Sequence, residues 1–172
     1  YQNQSNVDSS GNMNTMYLDS SNYEIQQYNC DRPGEGQLIF VGKNYCIGSQ
    51  TIPIRVVGDL KNVEVINVND QYDYTGKQIK PTPIVLFGSQ VLEEGEDYTI
   101  EYGNNVDVGT NSGSIVIRQV SGTDTYYTGS KTARFNIYYN LSKATVTGLN
   151  DTYSYTGSEV KPIPQVTCAG KV

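Results

Sequence analysis

The decamer Tyr72-Asp-Tyr-Thr-Gly-Lys-Gln-Ile-Lys-Pro81 returns as Tyr153-Ser-Tyr-Thr-Gly-Ser-Glu-Val-Lys-Pro162, 81 positions later. The same offset relates Leu60 to Leu141, Asn69-Asp70 to Asn150-Asp151, and Gly48-Ser49 to Gly129-Ser130. A fixed period of this kind marks repeated structural units. Asn22-Tyr-Glu-Ile25 matches Asp97-Tyr-Thr-Ile100 at an offset of 75, so the middle copy holds about six more residues between these anchors. Such an excess is expected in a loop. The chain divides accordingly into the later portion of one repeat (1–58), a complete repeat of about 80 residues (59–139), and the opening portion of a third (140–172). A unit of that size buries somewhat more than half of its unfolded surface, enough for a small core of its own.

Working outward from the decamer, the flanking segments alternate with period 2. Tyr98, Ile100 and Tyr102 face one way and Thr99 and Glu101 the other. Ala133, Phe135 and Ile137 alternate with Thr132, Arg134 and Asn136, and Ile52, Ile54 and Val56 with Thr51, Pro53 and Arg55. This pattern belongs to strands with one buried and one wet face. Further strands are expected at 63–68, 83–87 and 114–120. Turn chemistry separates them: Tyr-Thr-Gly at 74–76, Glu-Glu-Gly at 93–95, Gly-Asn-Asn at 103–105 and Ser-Gly-Thr at 121–123. Short strands at this spacing predict an all-β chain of Greek-key β-sandwich repeats.

Composition agrees and excludes several functions. The 172 residues include 15 Tyr and 17 Gly, and no window shows helical apolar spacing. The net charge of −6 and the absence of a Lys/Arg cluster argue against nucleic acid and anionic membranes as partners. No apolar run is long enough to span a bilayer, and the first residues carry no signal-peptide pattern, so the chain reads as a mature or excised segment. There is no histidine, which removes the Ser/His and Cys/His nucleophile–base pairs and the commonest metal ligand. With no acid/base constellation in view, the expectation is a protein that is not an enzyme and uses no cofactor.

The succession Tyr74-Thr-Gly-Lys-Gln-Ile-Lys-Pro81, Leu92-Glu-Glu-Gly-Glu-Asp-Tyr-Thr-Ile-Glu-Tyr-Gly-Asn-Asn105, Gly109, and Tyr127-Thr-Gly129 through Phe135-Asn-Ile137 resembles the bacterial immunoglobulin-like repeats of Gram-positive cell-surface and secreted proteins. The resemblance covers the middle repeat and both flanking portions. It implies an extracellular location and a role as stalk or spacer holding adhesive, carbohydrate-binding or hydrolytic modules away from the wall, with no shared catalytic residues. The first portion departs from the pattern, having Gln27-Tyr28-Asn29-Cys30 where the middle repeat has Tyr102-Gly-Asn-Asn105.

Candidate sites are few. Tyr98 and Tyr102 could offer a sugar-stacking platform, but tyrosine at matching places in each repeat points more strongly to packing. Asn104, Asn105 and Asp107, or Glu93, Glu94, Glu96 and Asp97, are oxygen donors for Ca²⁺, yet their spacing matches no calcium loop, and no metal site is expected. A Lys–Asn isopeptide bond needs a buried lysine, and Lys80 and Lys131 lie in motifs that read as exposed. Cys30, Cys46 and Cys168 are an odd count for an oxidising compartment. A hairpin of 24–29 and 36–41 would hold Cys30 and Cys46 at opposite ends, too far apart to bridge; Cys168 maps to the same end of a repeat as Cys46, so no disulfide within the chain is assured and a Cys46–Cys168 bridge between repeats is the pairing to test.

The functional expectation is a spacer or fibre segment. The alternatives are a carbohydrate-binding or adhesive module using exposed tyrosines on surface polysaccharide or host glycan, and a non-catalytic accessory domain of a secreted hydrolase. The two partial repeats have two explanations. Either the chain was cut from a longer array, or residues 140–172 of one molecule complete residues 1–58 of the next by strand exchange.

Overall fold

The structure, a computed structural model, describes residues 17–122 and 125–168. The chain is all-β, with fourteen strands, three 3-10 turns and no α-helix among the described residues. It forms two compact units, the first ending at Val56 and the second beginning at Val57. The turn expected at 121–123 lies partly outside the described residues, as do residues 1–16.

The first unit is an antiparallel meander of β1 (Tyr23–Tyr28), β2 (Gly34–Gly42) and β3 (Ser49–Val56), in spatial order β1-β2-β3. Ile25 stands opposite Phe40, Leu38 opposite Ile52, and Gly36 opposite Ile54. Residues directly opposite share a face, so Tyr23, Ile25, Leu38, Phe40, Ile52, Ile54 and Val56 form one apolar face. β3 carries Pro53, which a sheet tolerates on an edge strand because no ladder N–H is needed there. Ile25 and Ile52 remain exposed despite their apolar pattern. Alternation set the strands correctly, but their apolar side has no opposing layer among the described residues of this unit.

The second unit has that layer. Its larger sheet runs β6 (Gln71–Asp73), β12 (Ser130–Tyr138), β10 (Gly109–Gln119), β9 (Tyr98–Tyr102). A second sheet runs β5 (Glu64–Ile66), β7 (Ile84–Phe87), β8 (Gln90–Val91). A short parallel pair joins β4 (Gly58–Asp59) to β11 (Tyr127–Thr128), and β13 (Thr145–Thr147) pairs with β14 (Gln165–Thr167). Leu60, Val63 and Val85 meet Ile115, Ile117, Phe135 and Ile137 in one buried cluster, closed by Leu92, Tyr98 and Tyr127. At about 25 cal/mol per Å² of apolar surface, each such aliphatic side chain stabilises the fold by roughly 1.5–3 kcal/mol. Gly113 is required where it stands, because a Cβ there would lie 2.0 Å from the Phe135 ring.

The 81-residue echo is also an echo of geometry. The 3-10 turn Leu60–Asn62, β5 and β7 have counterparts at that offset in the 3-10 turn Leu141–Lys143, β13 and β14. Asp59 and Asn140 each cap the following turn, accepting from the amides of Lys61 and Ser142. The Tyr72 hydroxyl accepts from Asn69 N at 3.0 Å, and that of Tyr153 from Asn150 N at 2.9 Å. Gly76 and Gly157 both hold positive φ, 74° and 85°, the left-handed geometry that places glycine in Tyr-Thr-Gly.

The six extra residues of the middle copy are not all in a loop. Pairing makes Phe40 the counterpart of Ile117 and Gly36 that of Gly113, an offset of 77, whereas Gly34 and Gly109 differ by 75. Two of the six therefore sit inside β10, where the register shifts between Gly109 and Gly113, and four lie between β10 and β12.

Candidate functional site

The tyrosines come first. Tyr98 is 4% exposed and belongs to the core, so of its two readings it packs and offers no face for a sugar. Burial pushes its hydroxyl pKa up. Tyr102 is half-buried, its hydroxyl donates to Pro81 O at 2.9 Å, and the Lys80 ammonium lies 5.6 Å from its ring centroid. The ring is thus committed to tying the segment before β7 to the opposite sheet.

The oxygen-rich turns are also internally engaged. Asp97 Oδ2 accepts from Glu93 N at 2.9 Å, closing the Glu-Glu-Gly turn. Asn104 Nδ2 donates to Asp107 Oδ2 at 2.8 Å. Asn105, one of the oxygen donors read from the sequence, is 1% exposed, and its side chain is filled by backbone. Its Nδ2 donates to Ile79 O and Ser114 O at 2.9 and 3.0 Å, and its Oδ1 accepts from Ser114 N at 2.7 Å. A buried amide so used is a strut, which sequence reading missed. The clue was an Asn after Gly-Asn at a turn demanding positive φ, here 52°.

Cys30, Cys46 and Cys168 are all free thiols. Cys30 stands where the middle repeat has Asn105, its Sγ 3.6 Å from Gln37 O, the counterpart of Ser114 O. Cys46 follows β2, at the opposite end of the β1–β2 hairpin from Cys30, and Cys168 is buried with its Sγ 3.7 Å from Asn140 O. Lys80 is exposed, and Lys131 Nζ donates to Lys61 O at 3.1 Å. Neither has the burial that isopeptide chemistry needs.

A dense polar cluster lies where the middle repeat meets residues 140–168. β6 pairs in parallel with β12, Ile137 opposite Tyr72 and Tyr138 opposite Asp73. At the end of β6, the Asp73 carboxylate accepts from Asn140 Nδ2 at 3.1 and 3.0 Å and from Lys143 Nζ. Asn140 Oδ1 meanwhile caps the following turn, accepting from Ser142 N at 3.1 Å and Ser142 Oγ at 2.6 Å. Tyr74 and Tyr139 meet edge to face with centroids 5.0 Å apart. The Lys143 ammonium, and then the Asn140 amide, hold the Asp73 carboxyl below its ordinary pKa, and Asp73 raises that of Lys143. Chemically this arrangement fixes one segment against another, the Asp73 carboxylate being engaged by both Asn140 and Lys143.

No family model, no curated protein and no solved structure matches this chain.

Proposed function

We propose that the chain is a segment of a tandem array of immunoglobulin-like Greek-key sandwiches, serving as a spacer or stalk of an extracellular bacterial surface protein. The Asp73–Asn140–Lys143 junction carries this reading. It ties an opening strand of the middle repeat to the first turn of the segment that follows, which opposes bending at that joint, as a spacer needs. The parallel pairing of β6 with β12 supports it further. Once the β4–β11 and β5–β7 pairings that precede β6 have yielded, tension from the N-terminal side of β6 and the C-terminal end of β12 pulls these parallel strands lengthwise past each other and loads their hydrogen bonds together. The chemistry is passive, with no catalytic step and no cofactor, and the partners are neighbouring repeats.

Stretching the full chain between two attachment points tests this. One abrupt unfolding event should release the middle repeat, lengthening the chain by its extended length of roughly 260–290 Å, at 3.3–3.6 Å per residue, less the span of the folded repeat. Smooth extension without a discrete event refutes a mechanical role. Retention on a polysaccharide column would favour the carbohydrate-binding alternative.

A further inference from the structure

The protein has 15 tyrosines and no tryptophan, so one-electron oxidation of its aromatic side chains ends on phenol. Among the described residues, Tyr23 meets Phe40, Tyr72 meets Phe135 and Tyr127 meets Phe87, whereas Tyr74 meets a second tyrosine, Tyr139.

The backbone sets this pair. β6 and β12 run parallel with Asp73 opposite Tyr138, and Tyr74 N donates to Tyr138 O at 2.8 Å. The register therefore carries on past the end of β6 and brings Tyr139 alongside Tyr74. The rings stand with centroids 5.0 Å apart and planes 68° from parallel. Tyr74 packs on the core, while Tyr139 is 44% exposed, so an oxidant can reach the pair and the outer ring can turn. Asp73, which precedes one ring, accepts from Asn140, which follows the other, and from Lys143. That clamp holds both tyrosines by their neighbours, and groups held together react with each other far faster than with partners that must diffuse in.

We propose that Tyr74 and Tyr139 form an oxidative cross-linking site, joined as dityrosine by hydrogen peroxide acting through a haem peroxidase. Each phenol gives up one electron and one proton to become a tyrosyl radical. One C–C bond then forms between a Cε atom of each ring, and the hydrogen on each of those carbons moves to its own ring's oxygen, restoring both phenols. The electrons and protons released reduce one peroxide to two waters. The bond closes residues 74–139 into a loop that force cannot open. That mechanical consequence rests on the spacer reading, whereas the bond itself rests on the geometry of the pair.

Peptide mapping tests it. The full chain is alkylated at its accessible thiols, which would otherwise quench tyrosyl radicals, then treated in dilute solution with a haem peroxidase and hydrogen peroxide. The monomer fraction should fluoresce as dityrosine, lose two hydrogens in intact mass, and yield the Tyr74 peptide joined to the Tyr139 peptide. Tyr74→Phe and Tyr139→Phe keep the ring contact and should each lose most of that fluorescence with unchanged strand circular dichroism, whereas Tyr138→Phe should keep it. Dityrosine confined to dimers and larger species, monomer joined through other tyrosines, or no dityrosine overturns the proposal, and so does full fluorescence from either of the first two variants. In the stretching experiment the cross-linked chain should extend less by roughly 215–235 Å, the length of 65 residues at 3.3–3.6 Å each. Mapping reads the bond without force, so the cross-link and the spacer reading fail separately.

Discussion

Replacing Asn105 by alanine should be among the most damaging single changes in the second unit. The side chain serves three buried or half-buried backbone groups: Ile79 C=O, Ser114 C=O and Ser114 N–H. Leaving a buried polar group without a partner costs about 1–3 kcal/mol, and local relaxation favours the lower figure for each of the three. The φ of 52° adds strain for alanine of roughly 1 kcal/mol, which asparagine tolerates better. The total is about 3–5 kcal/mol. For a domain near 80 residues, at 4–8 °C per kcal/mol, Tm should fall by roughly 12–40 °C. Differential scanning calorimetry of the full chain measures this as a shift of one transition. Asn105→Gly separates the two contributions, because glycine loses the hydrogen bonds and keeps the backbone, so it should be milder than alanine by about 1 kcal/mol. A loss under about 1 kcal/mol for alanine, or glycine as harmful as alanine, would refute the strut.

Three further outcomes follow from packing and charge. Gly113→Ala places a Cβ against the buried Phe135 ring and should cost about 1–3 kcal/mol or more, read from guanidinium unfolding. The Tyr127 hydroxyl is buried without a hydrogen-bond partner among the described residues, so Tyr127→Phe should leave stability unchanged or raise it by about 1 kcal/mol, by the same measurement. The Asp73 junction should loosen in acid. Because the folded pKa of Asp73 is depressed, its contribution is complete above the usual carboxylate value of about 3.9 and disappears as pH falls through the lower folded value. Lys143, with a raised pKa, keeps its contribution until pH climbs through that raised value, so residual dipolar couplings across the junction should be constant near neutrality and collapse in acid, and Asp73→Asn should weaken the order already at neutral pH.

Strands were legible because β-branched and aromatic residues alternate in Tyr98–Tyr102, Ser130–Tyr138 and Ser49–Val56. Which alternating faces would be covered was not, because Ile52 and Ile137 look alike in sequence and differ only in what packs over them. Tyr98 and Tyr102 carried the same ambiguity, since a tyrosine can stack on a ligand or bury its ring, and local pattern does not choose. Asn105 was grouped with acidic neighbours because its chemistry fits a cation as well as it fits Ser114. The junction was hidden in separation: Asp73 and Lys143 are 70 residues apart, and only the parallel pairing of β6 with β12 brings them together.

The irregularity between Gly109 and Gly113 has a meaning for biosynthesis. Adjacent modules of similar sequence are prone to trade segments while both are still unfolded, producing cross-paired misfolds. β2 crosses its sheet in nine residues and β10 in eleven. A nascent chain that paired either with the other's neighbours would strand or lack two residues near one end of the ladder. If the length difference discourages cross-pairing, deleting two residues between Gly109 and Gly113 should lower the yield of correctly folded chain on refolding.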